Sequence, residues 1–115
     1  MEFDTVTVSL LERVPNAPTI DREESDVLQD AHMAYLASLH ESGQLQAAGP
    51  FLGPGERVFR GLSLHRLPEE EVRALFEKDP LVRSGRLTVR LFTWVIPAGA
   101  LQFARTRFPR SQAEI

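Results

Sequence analysis

Alternating residue types at the beginning of the chain predict a β-strand. Between residues 3 and 11, aliphatic side chains alternate with small hydroxyl side chains, and both types are compatible with an extended backbone. The aliphatic positions are Val6, Val8 and Leu10, and the hydroxyl positions are Thr5, Thr7 and Ser9. The following segment contains two prolines and Asn16, which break regular structure and predict a surface loop.

A helical period then extends from about Glu24 to Ser42. At 100° per residue, one narrow stripe of this helix is mostly apolar but contains a single histidine. The stripe consists of Leu28, His32, Tyr35 and Leu39, with Ala31 and Leu36 beside it. The opposite side carries Asp26, Asp30, Met33 and Glu41, and His40 falls near this polar side. Gly43 is suited to cap the end of the helix because glycine readily adopts a left-handed backbone conformation.

Shorter patterns predict a hairpin of two strands in the middle of the chain. Residues 45–51 and 58–65 are the two strands, and Gly53, Pro54 and Gly55 between them favour a turn. The hairpin brings the second and third strands side by side.

A second helix is predicted after Pro68, a residue that the first helical turn tolerates. Three glutamates, residues 69–71, complement the positive end of the helix, and its buried stripe is Val72, Leu75 and Phe76. This helix ends before Pro80. The proline also excludes Asp79 from the α-helical region, so the Asp79 side chain is expected to emerge from a fixed corner.

The last predicted strand, residues 87–95, has large apolar side chains on both of its sides. Leu87, Val89 and Leu91 alternate with Arg90, Phe92 and Trp94. The resulting order, βαββαβ, predicts an α+β, ferredoxin-like fold: a four-stranded antiparallel sheet with two helices on one face. One helical layer cannot cover both sheet faces, so the exposed apolar face predicts a homodimer.

Length and composition favour a single folding unit. The chain has 115 residues, 43% of them hydrophobic and 25% charged, and no internal segment resembles a linker. We expect one domain over residues 1–97 and a tail, residues 98–115, that packs on the domain or on a dimer partner. The tail interleaves two phenylalanines with arginines, and one interpretation is that it packs over the cleft or the partner and supplies a cation for an acidic substrate. An ordered strap on the subunit surface is the favoured interpretation.

Charge and residue content exclude several classes of function. A net charge of -3 argues against nucleic acid as a partner, because phosphate binding depends on excess Lys and Arg. No segment approaches the length of a membrane span and the N-terminus lacks a basic signal-peptide region, so no membrane association and a cytoplasmic location are expected. The absence of cysteine excludes thiolate chemistry and disulfides.

The best candidate for chemistry is His32, which lies within an otherwise apolar helical stripe. A buried imidazole needs a hydrogen-bond partner, since an unsatisfied buried polar group costs roughly 1–3 kcal/mol. Asp79 is the natural partner, and an aspartate on one ring nitrogen leaves the other free for general acid–base catalysis. The alternative is that the two residues form only a structural tie between the helices.

Other polar residues give weaker indications. Tyr35 and Ser63 are candidates to line the same cleft and bind a small substrate. His40 and His65 do not have the spacing to His32 that would place two metal ligands on one helical face, so no metal site is expected. The glycines of residues 49–55 lie in a hairpin rather than between a strand and a helix, which argues against nucleotide phosphate binding.

Several of these positions resemble the signatures of the YCII-related family over roughly residues 3 to 97. The shared features are His32 on a helix, Gly43, Gly49-Pro50, Asp79-Pro80 and Gly85. Members often carry an arginine two residues before the histidine, where this chain has Asp30. The resemblance implies a dimeric α/β barrel, with the His and Asp facing each other in a cleft.

One branch of that family resembles dehydrochlorinases of chlorinated hydroquinones. We therefore expect a small-molecule lyase or isomerase without a cofactor, in which His32 and Asp79 are catalytic and Gly49 and Pro50 bind the substrate. Tyr35 and Ser63 are further substrate-binding candidates because of their positions in the sequence. The alternative is a non-catalytic dimeric protein that binds a small ligand or assists another enzyme.

Overall fold

The computed structural model describes residues 1–53 and 58–115, and the predicted α+β class with a four-stranded antiparallel sheet is confirmed. The elements are β1 Phe3–Arg13, α1 Arg22–Glu41, β2 Ala47–Pro50, β3 Phe59–His65, α2 Glu69–Phe76, α3 Pro80–Arg83, β4 Leu87–Pro97 and a 3-10 turn Gln112–Glu114. Of the predicted hairpin turn, Pro54 and Gly55 lie outside the described residues. Sequence patterns did not predict the single turn of α3, because four residues are too short to show a helical period.

The sheet has the strand order β2-β3-β1-β4, so β1 lies in its interior and β4 at one edge. All three pairings are antiparallel. The longest pairing joins β1 to β4, with Phe3 opposite Pro97 and Arg13 opposite Leu87. The register between β1 and β3 shifts between Leu11 and Glu12, where the ladder has a bulge.

One face of the sheet packs against the helices, and residues opposite each other in an antiparallel pair share a face. On β1 this face carries Thr7, Ser9 and Leu11, all of which are buried. Leu11 forms the centre of the apolar core with Val72 and Phe76 of α2. Partly buried hydrophobic residues pack against this centre: Leu36, Leu67, Val82, Leu87, Val89 and Leu91. The hydroxyl side of β1, rather than its aliphatic side, therefore faces the helices.

The opposite face of the sheet is termed the open face. Its apolar side chains come from three adjacent strands and are aligned by the pairing register. They are Val6, Val8 and Leu10 of β1, Leu62 and Leu64 of β3, and Phe92 and Trp94 of β4. The two aromatic side chains remain 49% and 45% exposed, which is unusual for side chains of this size.

Both ends of α1 have defined caps. Asp21 is the N-cap, and its carboxyl oxygen accepts a hydrogen bond of 2.8 Å from the Glu24 backbone N–H. The helix thus begins two residues earlier than the sequence period indicated. At the other end, Gly43 has a φ of 82°, the left-handed conformation expected of the residue after the C-cap.

Residues 98–115 form an extended strap, here called the C-terminal strap, that crosses the polar side of α1. The Phe108 ring stacks on the His40 ring with 4.1 Å between centroids. Further along, Arg110 pairs with Glu41, and the Gln112 backbone N–H donates to Asp30 Oδ1 over 2.8 Å. The polar side of α1 is therefore a docking surface for the strap.

Truncation of Phe76 is expected to destabilise the fold strongly. This side chain has no exposed surface, and Phe→Ala in such a site costs about 3–5 kcal/mol because a cavity remains. Urea denaturation of Phe76→Ala measures the loss in the free energy of unfolding. Leu52→Ala, at a 93% exposed position, is the control and should change stability by less than about 0.5 kcal/mol. Equal stability of the two variants would contradict the position of the core.

Candidate functional site

His32 and Asp79 lie together beneath the helical layer. His32 Nδ1 is 2.7 Å from Asp79 Oδ2, the distance of a charge-assisted hydrogen bond. Asp79 is fully buried and His32 is only 8% exposed. The bond joins the middle of α1 to the start of α3, and the two residues are 47 positions apart in the sequence.

The Asp79 carboxyl group is fixed by its backbone as well as by His32. Asp79 has extended dihedral angles, φ −67° and ψ 129°, and is the N-cap of α3. Its Oδ1 accepts a hydrogen bond of 2.8 Å from the Leu81 backbone N–H, while Oδ2 faces His32. Because Pro80 follows, the corner predicted from the sequence is formed, and both oxygens have defined directions.

The second ring nitrogen of His32 remains available. With Nδ1–H donating to Asp79, the neutral ring carries a lone pair on Nε2. Within residues 1–53 and 58–115 no group forms a hydrogen bond with Nε2, and Nε2 is not among the buried side-chain atoms that lack a partner. It therefore keeps contact with solvent.

Tyr35 lies one helical turn after His32 and close to Asp79. Its hydroxyl group donates a hydrogen bond of 2.6 Å to the Leu75 carbonyl at the end of α2. Burial, and secondarily the negative charge of Asp79, raises the pKa of Tyr35 above its ordinary value. The hydroxyl therefore stays protonated, and its remaining acceptor capacity is next to the His32–Asp79 pair.

Ser63 belongs to a separate series of buried hydrogen bonds on the sheet face that the helices cover. Its Oγ lies 2.7 Å from His65 Nε2 and also contacts the Ser9 hydroxyl across the strand pair. His65 Nδ1–H in turn donates to the Gln44 carbonyl over 2.8 Å. All three side chains are buried, so the Ser63 hydroxyl is fully engaged by protein groups.

Gly49 and Pro50 lie at the exposed end of β2, opposite Leu62 and Gly61. The Gly49 carbonyl comes close to Gly61: a Cβ at position 61 would lie 3.0 Å from it, which explains a glycine there. Of the six site residues predicted from the sequence, the structure brings three together: His32, Asp79 and Tyr35. Ser63, Gly49 and Pro50 have no recorded bond to the pair within the described chain.

His40 is a buried residue, although the helical period placed it near the polar side. It is only 4% exposed because the C-terminal strap covers it. Its Nδ1–H donates to the Leu45 carbonyl over 2.8 Å, and its Nε2 accepts from the Thr106 N–H over 3.1 Å. No signal within the helix could indicate this, because the covering residues lie more than sixty positions later.

Metal centres and membrane spans are the other classes of site to consider within residues 1–53 and 58–115. No group of three or more His, Cys, Asp or Glu side chains in this part of the chain is arranged to hold a metal ion. None of the described helices combines the length and apolar character required to cross a bilayer.

Comparisons with known proteins agree with the fold. A family model described as the YCII-related domain matches residues 6–95, which confirms the resemblance inferred from the sequence. Among solved structures, 5-chloro-2-hydroxyhydroquinone dehydrochlorinase (TftG) from Burkholderia phenoliruptrix AC1100, in complex with 2,5-dihydroxybenzoquinone, matches with a TM-score of 0.58 and 21% identity. The match covers 77% of this chain and 92% of that chain. At this identity the likeness shows a shared fold. No curated protein matches the chain.

The buried His65 is expected to make stability depend on pH. Burial lowers the pKa of His65 in the folded protein below its ordinary value of 6.5, despite the hydrogen bond to Gln44. As pH falls below 6.5, the unfolded chain takes up a proton at this position and the folded chain does not. The free energy of unfolding should therefore decrease, by at most about 1.4 kcal/mol per pH unit, until the folded pKa is reached.

Urea denaturation at a series of pH values from about 7.5 to about 5 measures the free energy of unfolding of the parent protein and of His65→Asn. The variant keeps a donor for the Gln44 carbonyl but does not titrate. Its stability should fall less steeply with acid, since the other histidines contribute equally in both proteins. Identical slopes would show that His65 is not the responsible group.

Proposed function

The chain belongs to the YCII-related domain family, and we propose that it is a small-molecule lyase or isomerase in which His32 is the general acid–base and Asp79 orients it. One observation carries the proposal: Asp79 holds His32 through Nδ1, while Nε2 has no bonded partner within the described chain and keeps contact with solvent. A merely structural histidine usually has both nitrogens bonded, as His40 and His65 do.

The chemistry follows from the protonation state of the ring. Neutral His32 accepts a substrate proton at Nε2, and the imidazolium that results is stabilised by the Asp79 carboxyl group 2.7 Å away. In an elimination, the electrons of the broken bond to hydrogen form a double bond, and the leaving group departs with its own bonding electrons. In an isomerisation, His32 returns the proton to a different atom of the substrate.

The substrate class is proposed from the structural neighbour. That protein is named as a dehydrochlorinase of a chlorinated hydroxyhydroquinone and was solved with a dihydroxybenzoquinone. Such a substrate has acidic hydroxyl protons and a leaving halide, which suits a base that needs no cofactor. We propose hydroxylated aromatic rings as the first class to test, with Tyr35 and the exposed Gly49–Pro50 end of β2 as contacts. Ser63 is proposed to support the substrate cleft from beneath, because its hydroxyl is already engaged.

Loss of His32 should abolish turnover more than it reduces stability. His32→Ala is expected to lower the rate of chloride release from 5-chloro-2-hydroxyhydroquinone by about 10²–10⁴-fold, the typical contribution of a general acid–base. Asp79→Asn should also lower the rate, because the amide no longer fixes the ring tautomer. Added imidazole should partly restore turnover by His32→Ala, which a structural defect would not allow.

Ser38→Ala is the matched control, since Ser38 is exposed on the same helix and bonds only the Tyr35 carbonyl. Thermal denaturation of all variants separates folding from chemistry. Binding of 2,5-dihydroxybenzoquinone, measured by calorimetry, provides a readout that does not need turnover. If His32→Ala melts at a lower temperature but binds this ligand unchanged, the pair is a structural tie and the protein is a ligand-binding or accessory module.

We further propose that the open face pairs with the open face of a second copy, forming a dimeric barrel. Seven apolar side chains from three strands are aligned there. Val6 is already buried, but Phe92 and Trp94 remain 49% and 45% exposed, which costs free energy in water. At one end, Arg90 pairs with Glu12 on the same face and lies 5.9 Å from the Phe59 ring. A two-fold axis through the face would make each contact occur twice, so that a group of one copy that meets a second group of the other is matched by the reverse pair.

Light scattering after size-exclusion chromatography should give about twice the chain mass of 12.9 kDa. Trp94→Lys introduces a charge among the exposed aromatic side chains of the open face and is expected to give a monomer. Val27→Lys is the control, because Val27 is 64% exposed but lies on α1. A monomeric parent protein, or a Trp94→Lys variant that stays dimeric, would contradict this interface.

A further inference from the structure

A second concave site lies between the C-terminal strap and the body of the domain, formed by residues that the proposed reaction does not use. It is a hollow of about 210 Å³, open to solvent on one side. The end of α1 and the segment before β2 contribute His40, Gly43 and Leu45. Arg66 adds a wall after β3, and Phe103 and Arg105 close the hollow from the strap.

The hollow has two unneutralised positive charges. Arg66 and Arg105 are exposed, and neither has a carboxylate partner among the described residues. Three other arginines do pair with acids: Arg90 with Glu12, Arg107 with Glu114 and Arg110 with Glu41. No acidic residue lines the hollow. Its chemistry therefore favours an anion.

The surrounding groups hold this arrangement in place. The Arg66 guanidinium lies 5.2 Å from the centre of the Phe103 ring, a cation–π contact that connects the strap to the body. The Gln46 side chain accepts a hydrogen bond of 2.9 Å from the Arg66 backbone N–H and donates one of 3.2 Å to the Gly43 carbonyl. Both nitrogens of His40 are bonded elsewhere. The two guanidinium groups are thus the charged donors left for a ligand.

The remaining lining is apolar, and this defines the rest of the ligand. Phe103 presents a half-buried ring to the hollow, whereas Leu45 is only 1% exposed and is already packed within the fold. An inorganic ion gains nothing from the Phe103 ring, whereas an organic anion buries its apolar part against it. Guanidinium groups also match the planar geometry of a carboxylate, which they can bind with two parallel hydrogen bonds.

We propose that this hollow binds a small organic carboxylate, with its carboxylate between Arg66 and Arg105 and its apolar part against Phe103. Such a ligand connects the strap to the body and holds the strap in place. The family match ends at residue 95, so the strap wall of the site comes from residues beyond it. The proposal stands on these residues alone and does not depend on the reaction assigned to His32.

Calorimetry with benzoate tests the proposal directly. Benzoate should bind at millimolar concentrations, whereas benzyl alcohol, which lacks the charge, and inorganic phosphate, which lacks the ring, should each bind about tenfold more weakly or not at all. Arg66→Gln and Arg105→Gln should each weaken benzoate binding by about tenfold or more. Arg73→Gln, at an exposed position on α2 away from the hollow, should bind like the parent protein.

Trypsin digestion supplies a second measurement that reports on the strap. Because the strap contains Arg107 and Arg110, saturating benzoate should slow cleavage there in the parent protein but not in Arg66→Gln. Absence of benzoate binding to the parent protein would overturn the proposal. So would unchanged binding in both arginine variants, or phosphate binding as tight as benzoate, since an organic anion held by two guanidinium groups requires the opposite results.

Discussion

The hydrogen bond between His32 and Asp79 is the interaction on which the candidate site depends. It crosses from α1 to the start of α3 and is buried at both ends. Removing one member of a buried ion pair leaves the other buried without a partner, which commonly lowers the free energy of unfolding by about 3–5 kcal/mol. The same bond that holds the helical layer together therefore also fixes the direction of the imidazole ring. The same hydrogen bond contributes to stability and to the proposed acid–base role of His32, so stability and turnover have to be measured together.

Two buried histidines on the helical side of the sheet show how local contacts separate their roles. His65 has both nitrogens bonded, to Ser63 and to the Gln44 carbonyl, and its burial disfavours the charged ring. His32 has one nitrogen bonded to a carboxyl group and the other in contact with solvent. Only the second arrangement leaves a position at which a substrate proton can be received. The difference arises from their partners rather than from their depth in the fold.

The C-terminal strap covers the polar side of α1, which the sequence pattern assigns to solvent. Asp30 and Glu41 look like solvated residues of an amphipathic helix, yet they bind Gln112 and Arg110. Asp30, two residues before His32, accepts a backbone N–H of the strap. The strap also creates the hollow of Arg66 and Arg105. One extension beyond the family match thus covers a helix and adds a site with its own charge.

The sequence by itself determined the order of elements, the antiparallel class and the pairing of His32 with Asp79 as an expectation. Those features depend on local periods, on Pro80 and on the family signature, all of which are readable along the chain. It could not determine which side of β1 faces the helices. The alternation of aliphatic and hydroxyl residues along β1 does not say which set packs against the helices, and β4 has apolar residues on both sides. Nor could it show that Ser63 is engaged by His65 and Ser9.

Contacts distant in sequence decided the rest. Whether Nε2 of His32 is open, whether His40 is buried beneath Phe108, and where Arg66 meets Phe103 all depend on segments brought together only by folding. The reason is physical: periodicity indicates on which side of its own helix or strand a residue lies. Burial and hydrogen bonding also depend on which other segments of the chain pack against that side.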